Sequence, residues 1–323
     1  MELFDCTVIG DIFMDIIIHK NAESNKSCHG GTLYSDFIKI EFGGSGNIAV
    51  GLSLLGAKAS FVGKAGKDLF GNLYIENLKE NKVITKVFFD ESSLSGSILV
   101  SVYDQKERSF LVFRGANDSL SISDIKKTDR LIRGSRYMYF VGYSLINNPQ
   151  RDAILYAIEL SKKYKRQIVF DPGAHNIIKQ NHELFSRIVS DSDVFTPNLE
   201  EALTFTNTKN INDAIDKLKG ICPLTVLKCG EDGCVFINDK NIIKIPGFKV
   251  RCVDPTGAGD AFVAALIYGL ARNKSLQDIG QIANWFASQT VTGNGARCFP
   301  KRIKTRDFID SMVRKGVKES LSA

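Results

Sequence analysis

Short apolar runs rich in β-branched residues recur along this chain, and each ends at a polar or glycine-containing turn. They cover residues 7–9, 60–62, 137–141, 168–170, 194–196 and 224–227. Strands that are apolar almost throughout are typical of a parallel sheet covered on both faces. The stretches between them place apolar residues three and four positions apart, which indicates amphipathic helices, at 48–55, 150–164, 212–219, 261–271 and 278–291. The alternation predicts an α/β fold with a doubly wound, mostly parallel sheet flanked by helices.

Two segments interrupt this alternation and predict a second, smaller β-sheet. Residues 15–42 contain strand-like pieces without helical spacing. Residues 94–114 are typical of a hairpin, with LSGSILVSVY and RSFLVF on either side of a polar turn. Both segments leave and re-enter the α/β region near its glycine-rich turns, so we expect them to form one lid. The predicted division is an α/β nucleotide- and substrate-binding domain of residues 1–14, 43–93 and 115–323, and a β-sheet lid of residues 15–42 and 94–114.

Composition argues against several classes of protein. The chain has 323 residues, 44% of them hydrophobic, and its net charge of +6 comes from scattered lysines and arginines rather than basic runs. No apolar run approaches the ~20 residues of a membrane span, and the N-terminal MELFDCTVIGD does not resemble a signal peptide. The seven cysteines include no CxxC pair, which favours reduced thiols. We expect a soluble, cytoplasmic protein without a nucleic-acid or membrane partner.

The segment DPTGAGD, residues 254–260, carries the strongest chemical signal and precedes the apolar stretch AFVAALIYGL. Gly257, Ala258 and Gly259 let the backbone approach a ligand closely. Their N–H groups, at the start of a helix, would form an anion hole for a phosphoryl group. Asp260, in the first turn, would accept a proton from an attacking hydroxyl. The alternative is a glycine-rich turn in which Asp260 is an ordinary N-terminal helix residue.

A second glycine-rich motif, GGSGN at residues 43–47, leads into the apolar stretch IAVGLSLLG. It lacks the GxGxxG spacing of a dinucleotide-binding fingerprint, and the chain contains no GxxxxGK[ST] motif. We interpret it as a side-chain-free wall for a polyol, with Asn47 offering a donor and an acceptor to hydroxyls. A dinucleotide-dependent oxidoreductase is the rival interpretation, but no acidic residue follows at the expected distance and strand end.

Together the two motifs resemble the signatures of the ribokinase-like sugar kinases, the phosphofructokinase-B family, and the resemblance extends over essentially the whole chain. The C-terminal signature matches throughout residues 254–267, and the N-terminal signature matches over residues 43–66. Ser45 departs from the usual Gly, Ala or Pro, but it is also small. The resemblance implies a kinase that transfers the γ-phosphoryl group of ATP, with magnesium, to a hydroxyl of a sugar or nucleoside. A non-catalytic sensor of sugars or nucleosides on the same fold is the alternative; it would need neither Asp260 nor the anion hole.

The resemblance also implies roles for further residues. The acceptor would be bound by Asp15, Gly43, Gly44, Asn47 and Arg114. The nucleotide would be bound by Asn198, Lys228, Gly230, Gly233 and Asn284, with Glu201 holding magnesium through water. Simpler roles remain open for several of these: a strand end for Asp15, a helix start for Asn198 and Glu201, and solvated or surface positions for Lys228, Asn284 and Arg114.

Some members of the family hold a monovalent cation beneath the anion hole, and the resemblance carries this to two positions. Asp254 would bind potassium through its carboxylate and Thr256 through its backbone. The second cation loop, residues 295–300, is one residue shorter than in ribokinase and lacks the serine. The family often pairs two lids, and unpaired sheet edges favour such pairing, so a homodimer is expected. Ribose, a hexose, a sugar acid, a nucleoside and a sugar phosphate all stay open as acceptors, with a free sugar or nucleoside preferred.

Overall fold

The computed structural model describes residues 3–20, 34–35, 37–103 and 107–321. Its strands are β1 (Phe4–Ile9), β2 (Ile12–Lys20), β3 (Ile38–Gly44), β4 (Ala59–Gly66), β5 (Ile84–Asp90), β6 (Ser97–Tyr103), β7 (Glu107–Phe113), β8 (Ser135–Val141), β9 (Gln167–Asp171), β10 (Val194–Phe195), β11 (Leu224–Lys228), β12 (Cys234–Ile237) and β13 (Ile242–Ile245). The helices are α1 (Gly46–Leu55), α2 (Leu69–Glu80), α3 (Ile122–Lys126), α4 (Asp129–Arg133), α5 (Gln150–Lys163), α6 (His175–Gln180), α7 (His182–Ser190), α8 (Leu199–Thr206), α9 (Ile211–Leu218), α10 (Ala258–Ala271), α11 (Leu276–Thr290) and α12 (Arg302–Leu321).

The larger sheet joins nine of the described strands in the order β13-β12-β11-β10-β9-β8-β1-β4-β5. Its pairs are parallel except for β11–β12 and β12–β13 at one edge. Successive residues of β8 point to opposite faces, as a strand requires. Tyr139 therefore packs in a core with α1, α10 and α11, whereas Met138 and Phe140 pack in a second core with α5 and α7. The predicted parallel sheet with helices on both faces is confirmed.

The smaller sheet has the order β3-β2-β6-β7, so both predicted excursions contribute to one sheet. Its strands include residues 12–14 and 43–44, just outside the predicted lid, and the division into domains stays a prediction. Most of the predicted turn at residues 104–107 lies outside the described residues. We call this sheet, β2, β3, β6 and β7, the lid.

The two faces of the lid differ in chemistry, because alternate rows of side chains point to opposite sides. One row runs across the four strands as Glu41, Asp15, Ile98 and Val112. The next row, on the opposite face, is entirely aliphatic and comprises Ile40, Ile16, Leu99 and Leu111. Of that row, Ile40 is 55% and Leu111 72% exposed. The lid therefore presents carboxylates on one side and an open apolar surface on the other.

The parallel strands place their carboxyl ends along one edge of the larger sheet. β9 ends at Asp171 and β11 at Lys228, and α10 begins directly beyond this edge. Ligands of open α/β sheets bind in this position. In the part of the chain that the structure describes, no helix combines the length and apolarity that crossing a membrane would require.

Candidate active site

The predicted anion hole forms the start of α10. Gly257 precedes the helix with φ +80°, a left-handed conformation that a side chain disfavours, and a β-carbon there would overlap the carbonyl oxygen of Ala296. At Gly259 the space is open, since only Lys228 Nζ, at 3.9 Å, comes within 4 Å of the position that a β-carbon would occupy. The first N–H groups of a helix have no partner within it. Here the Ala258 amide donates a 3.3 Å hydrogen bond to the carbonyl oxygen of Pro255, and the space at Gly259, with a lysine ammonium beside it, is open to an anion.

Asp260 lies in the first turn of α10, as predicted. The side-chain nitrogen Nδ2 of Asn47 donates a hydrogen bond of 2.8 Å to Asp260 Oδ2. Burial raises the pKa of Asp260 to about 6, although the bond from Asn47 and the positive charges of Lys228 and Arg297 oppose the rise. A carboxylate that is ionised at neutral pH yet more basic than usual suits a general base.

On the lid, Asp15 of β2 faces the same cleft from the other side. It is 9% exposed and pairs across the strands with Glu41. Burial, with smaller contributions from the charges of Glu41 and Asp260, raises the pKa of Asp15 to about 7. Asp15 Oδ1 and Glu41 Oε2 find no hydrogen-bond partner among the described residues. Two acceptor oxygens are thus held where a donor-bearing ligand would lie.

The glycine-rich wall lies against Asp15. A β-carbon at Gly43 would overlap the Asp15 carboxylate. At Gly44, whose φ is +72°, it would lie 2.5 Å from the carbonyl oxygen of Asp11. The Gly43 carbonyl accepts a 2.5 Å hydrogen bond from the hydroxyl of Tyr74, which fixes the wall to α2. The structure therefore brings Asp15, Gly43 and Gly44 together beside the Asn47–Asp260 pair.

Lys228, predicted to bind the nucleotide, is paired within the chain. Its Nζ donates to Asp171 Oδ2 at 2.6 Å. Burial alone would lower the pKa of Lys228, but the charges of Asp171 and Glu201 outweigh it and the pKa is raised. Lys228 is therefore a fully charged group, 14% exposed, next to the anion hole.

Asn198 and Glu201 form a reciprocal cap at the start of α8. Glu201 Oε2 accepts from the Asn198 amide at 2.8 Å, and Asn198 Oδ1 accepts from the Glu201 amide at 2.9 Å. Both residues therefore cap the start of α8, and their role in binding the nucleotide stays a prediction. Burial raises the pKa of Glu201 to about 7, opposed chiefly by Lys228.

Magnesium is compatible with the oxygen donors near Glu201 and Asp171. Within the described ranges, no three His, Cys, Asp or Glu residues cluster closely enough to hold a metal. Magnesium that keeps several waters and is carried on nucleotide phosphates needs only one or two protein carboxylates. The donor set therefore fits a metal shared with phosphates rather than one caged by the protein.

The remaining predicted nucleotide residues lie in the turn after β11 and in α11. Gly230 and Gly233 form the turn between β11 and β12. Asn284 is 6% exposed and donates 3.1 Å hydrogen bonds to the carbonyl oxygens of Ile245 and Pro246. Its side chain is therefore not on the helix surface. Its hydrogen bonds hold the end of β13 and the residue after it against α11. Its contact with adenine stays a prediction.

Asp254 joins the two loops that were predicted to hold potassium. Its Oδ1 accepts from the Thr256 amide and its Oδ2 from the Gly295 amide, both at 2.9 Å. Lys39 of β3 donates to the carbonyl oxygen of Asn294 at 2.9 Å. Residues 294–297, which we call the bridging segment, therefore touch both the lid and the anion-hole loop. Potassium binding stays a prediction.

Arg114 is engaged within the chain. Its guanidinium donates to Asp118 at 2.5 Å and to Gln150 Oε1 at 2.6 Å, and lies 3.3 Å from an Asp11 oxygen. The side chain is 12% exposed. Its predicted contact with the acceptor is therefore untested, and its observed role is to join the end of β7 to the main domain.

Three residues of the site were not singled out from the sequence. Glu41 could have been found, because it is two positions before Gly43 on a strand and so shares a face with it. Asp171 ends an apolar strand at the ligand-binding edge, which was also a usable signal. Arg297, which contacts Asn47, had no local signal, since the two are 250 positions apart in the chain.

A parallel sheet, an anion hole at a helix start, a carboxylate beside it and an acidic lid define a kinase that phosphorylates a hydroxyl group of a small molecule. The model of the pfkB family carbohydrate kinases matches residues 4–302. The chain belongs to this family. It is 30% identical to ribokinase of Mus musculus over 302 residues, covering 90% of each chain. It is 28% identical to the probable fructokinase-5 of Arabidopsis thaliana over 269 residues, covering 80% of this chain and 82% of the relative.

Solved structures show the same fold. An adenosine kinase from Sinorhizobium meliloti superposes with a TM-score of 0.84 at 22% identity, covering 94% of this chain and 98% of its own. A putative ribokinase II from E. coli, in complex with ATP and Mg²⁺, superposes with a TM-score of 0.82 at 20% identity, covering 96% of this chain and all of its own. The ribokinase-like fold is confirmed, and the protein is a sugar or nucleoside kinase, a phosphotransferase with an alcohol group as acceptor.

Proposed function

We propose that this protein transfers the γ-phosphoryl group of ATP to a hydroxyl of an uncharged sugar or nucleoside, with Asp260 as the general base. The observation that carries the proposal is the position of Asp260 in the first turn of α10, hydrogen-bonded to Asn47 and beside the open amides at Gly259. A hydroxyl held against Asp260 would face an anion at the helix start. In-line transfer needs this relation of base, hydroxyl and phosphoryl group.

Different residues of the cleft would bind the acceptor, remove its proton and stabilise the transferring phosphoryl group. Asp15 accepts hydrogen bonds from acceptor hydroxyls, and Asp260 takes the proton of the attacking one. The amides at Gly257–Gly259 and the ammonium of Lys228 stabilise the charge of the transferring group. Closure of the lid over the cleft excludes water, which would otherwise compete with the acceptor. Bound magnesium supplies positive charge at the phosphates, and Glu201 would hold it through water.

The positions of the charged side chains in the cleft support an acceptor without a negative charge. Arg114 is committed to Asp11, Asp118 and Gln150. The groups without a partner on the inner face of the lid are instead Asp15 Oδ1 and Glu41 Oε2, while the other oxygen of Glu41 pairs with Lys39. Carboxylates accept hydrogen bonds from hydroxyl or N–H donors and repel phosphate or carboxylate. The site therefore favours a free sugar or nucleoside over a sugar phosphate or sugar acid.

A coupled ADP-release assay tests this proposal with matched pairs of acceptors. The pairs are D-fructose and D-fructose 6-phosphate, D-ribose and D-ribose 5-phosphate, and adenosine and AMP, each with ATP and magnesium. Turnover confined to an uncharged member is the expected result. Turnover only of phosphorylated members would refute the uncharged acceptor and keep the kinase. ATP binding without turnover of any acceptor, including sugar acids, would favour the sensor. Potassium would be tested by comparing potassium with tetramethylammonium salts, with activation expected.

We also propose that two copies associate through the lid. The aliphatic row on its outer face includes Ile40 and Leu111, both largely exposed, and no covering element lies over them in the described residues. A second copy would bury the same row on both partners, which is how a twofold interface works. The six described cysteines are free thiols, which suits the proposed cytoplasmic location.

A further inference from the structure

Arg297 of the bridging segment reaches into the acceptor site without being part of either signature motif. Its guanidinium lies beside two aromatic rings that contact each other, 5.1 Å from the centroid of Phe42 and 5.2 Å from that of Tyr74. These contacts and its hydrogen bonds hold a planar, charged group in one orientation. Such a position is costly for an arginine unless its donors are satisfied.

Each of its three nitrogen atoms has a partner. Nε donates to Asn47 Oδ1 at 2.6 Å, Nη2 donates to the hydroxyl of Tyr74 at 3.1 Å, and Nη1 donates to Asn77 Oδ1. The guanidinium has donors and no acceptor. Three of its five N–H donors are therefore bonded to neighbouring side chains of the protein.

The bond to Asn47 settles which way its amide points. Because Arg297 can only donate, the atom of Asn47 that faces it must be the oxygen. The NH₂ group then faces Asp260 and donates the 2.8 Å bond to Oδ2. Without Arg297 only an ionised Asp260 would select this orientation, and the amide could rotate whenever Asp260 is protonated and able to donate to its oxygen.

We propose that Arg297 is a positioning residue, which fixes the amide of Asn47 so that Asp260 is held in place as the base. This rests on the proposed function of Asp260. Arg297 does not touch the reacting atoms and acts through Asn47. Its positive charge works in the same direction, since it favours the ionised form of Asp260 against the effect of burial.

Other charged groups face Asp260 as well. Asp171 at the end of β9 raises its pKa, and Lys228 at the end of β11 lowers it. The charge of Asp15 on β2 also interacts with it. Of these groups, Arg297 alone is hydrogen-bonded to Asn47 in the described structure. A change at Arg297 therefore alters both the orientation of the amide and the charge near the base.

The first experiment needs no turnover. The side-chain amide resonances of Asn47 are followed by NMR against pH in the wild type, in Arg297→Met and in Arg297→Lys. In the wild type they should titrate with a midpoint near the pKa of Asp260, which is about 6. In Arg297→Met the midpoint should rise by about half a pH unit or more, and Arg297→Lys should lie between the two. An unchanged midpoint in a folded variant would overturn the proposal.

The second experiment uses the acceptor found in the ADP-release assay. Arg297→Met should lower kcat about tenfold or more and leave KM for ATP within about twofold, with partial rescue by Arg297→Lys. The acid limb of the pH–rate profile should move to higher pH. The double variant Arg297→Met/Asn47→Ala should have a kcat only slightly below that of the less active single variant, because both residues act through the same amide. Arg306→Met, at an 82% exposed arginine of α12, is the matched control and should be neutral.

The outcomes separate the two proposals. Loss of activity in Asp260→Asn with no change in Arg297→Met would keep the base and refute the positioning role. Full activity of Asp260→Asn, with the NMR midpoint moved in Arg297→Met, would refute the base and leave the coupling of Arg297 to Asp260 intact. If Arg297→Met does not fold, the midpoint of Arg297→Lys decides, and a value equal to that of the wild type refutes the proposal.

Discussion

Replacing Asp260 by Asn should abolish catalysis and at the same time stabilise the fold. Asn has the same shape, and its carbonyl oxygen can still accept the hydrogen bond from Asn47 Nδ2, which is 2.8 Å long in the wild type. The amide cannot take a proton from a hydroxyl. It also carries no charge, so the free energy needed to bury an ionised carboxylate disappears.

The size of the stabilisation follows from the pKa of Asp260, which burial raises from its ordinary 3.8 to about 6. That difference corresponds to about 3 kcal/mol. Because the pKa is raised on folding, the stability that the neutral form provides is full below 3.8 and is lost as pH rises through about 6. At pH 8 the wild type therefore carries the whole cost, and Asp260→Asn should unfold with up to about 3 kcal/mol more free energy. At pH 5 the gain should be about half as large.

Two measurements check this. Urea unfolding at pH 8 and pH 5 gives the free energies, and ADP release gives kcat, which should fall at least ~100-fold. The control is Asp307→Asn, at an exposed aspartate of α12, which should change neither quantity. A variant that turns over like the wild type would refute the base, and one that is less stable than the wild type at pH 8 would refute the electrostatic reasoning.

Three further changes test other parts of the site. Lys228→Thr should raise KM for ATP about tenfold and leave KM for the acceptor unchanged, since it removes the ammonium beside the anion hole. If ADP-release kinetics show an equal rise in both KM values, Lys228 does not act specifically on the nucleotide. Gly43→Ala should raise KM for the acceptor at least ~10-fold because its β-carbon would displace the Asp15 carboxylate, and unaltered KM would count against the proposed wall. Leu111→Lys should convert the dimer to monomer in sedimentation, whereas Lys86→Glu on β5 of the main sheet should not; a wild-type monomer would refute the lid interface.

The sequence predicted those parts of the fold and site whose signals are local. The alternating strands and helices, the turn before α10 and the lid hairpin each depend on residues close together in the chain. Asp260 was found because a helix start and a glycine-rich turn are adjacent in sequence. The pairing of Asn198 with Glu201 is local too, and the three-residue spacing was open both to a cap and to a nucleotide role.

The rest depends on contacts between distant segments. Asp118, a partner of Arg114, is only four positions away, but Asp11 and Gln150 are 103 and 36 positions away, so the sequence near Arg114 showed only part of its pairing. Asn284 was predicted to bind the nucleotide, with a surface position as the alternative, and its hydrogen bonds to carbonyl oxygens 39 and 38 positions away exclude the surface position. The pKa of Asp15 likewise depends on its burial on the inner face of a lid that two separate segments build. Tertiary packing, and not local preference, decides such features.

The bridging segment has a thermodynamic consequence. Its Ala296 carbonyl lies against Gly257 at the phosphate end of the cleft, while Asn294 is bonded to Lys39 of the lid. An acceptor that draws the lid inward would therefore also restrain the anion hole. We expect the acceptor to tighten ATP binding, and reciprocity then requires ATP to tighten acceptor binding by the same factor. Because residues 294–297 contact both the lid and the anion-hole loop, we expect the two substrates to bind in random order, each lowering the dissociation constant of the other.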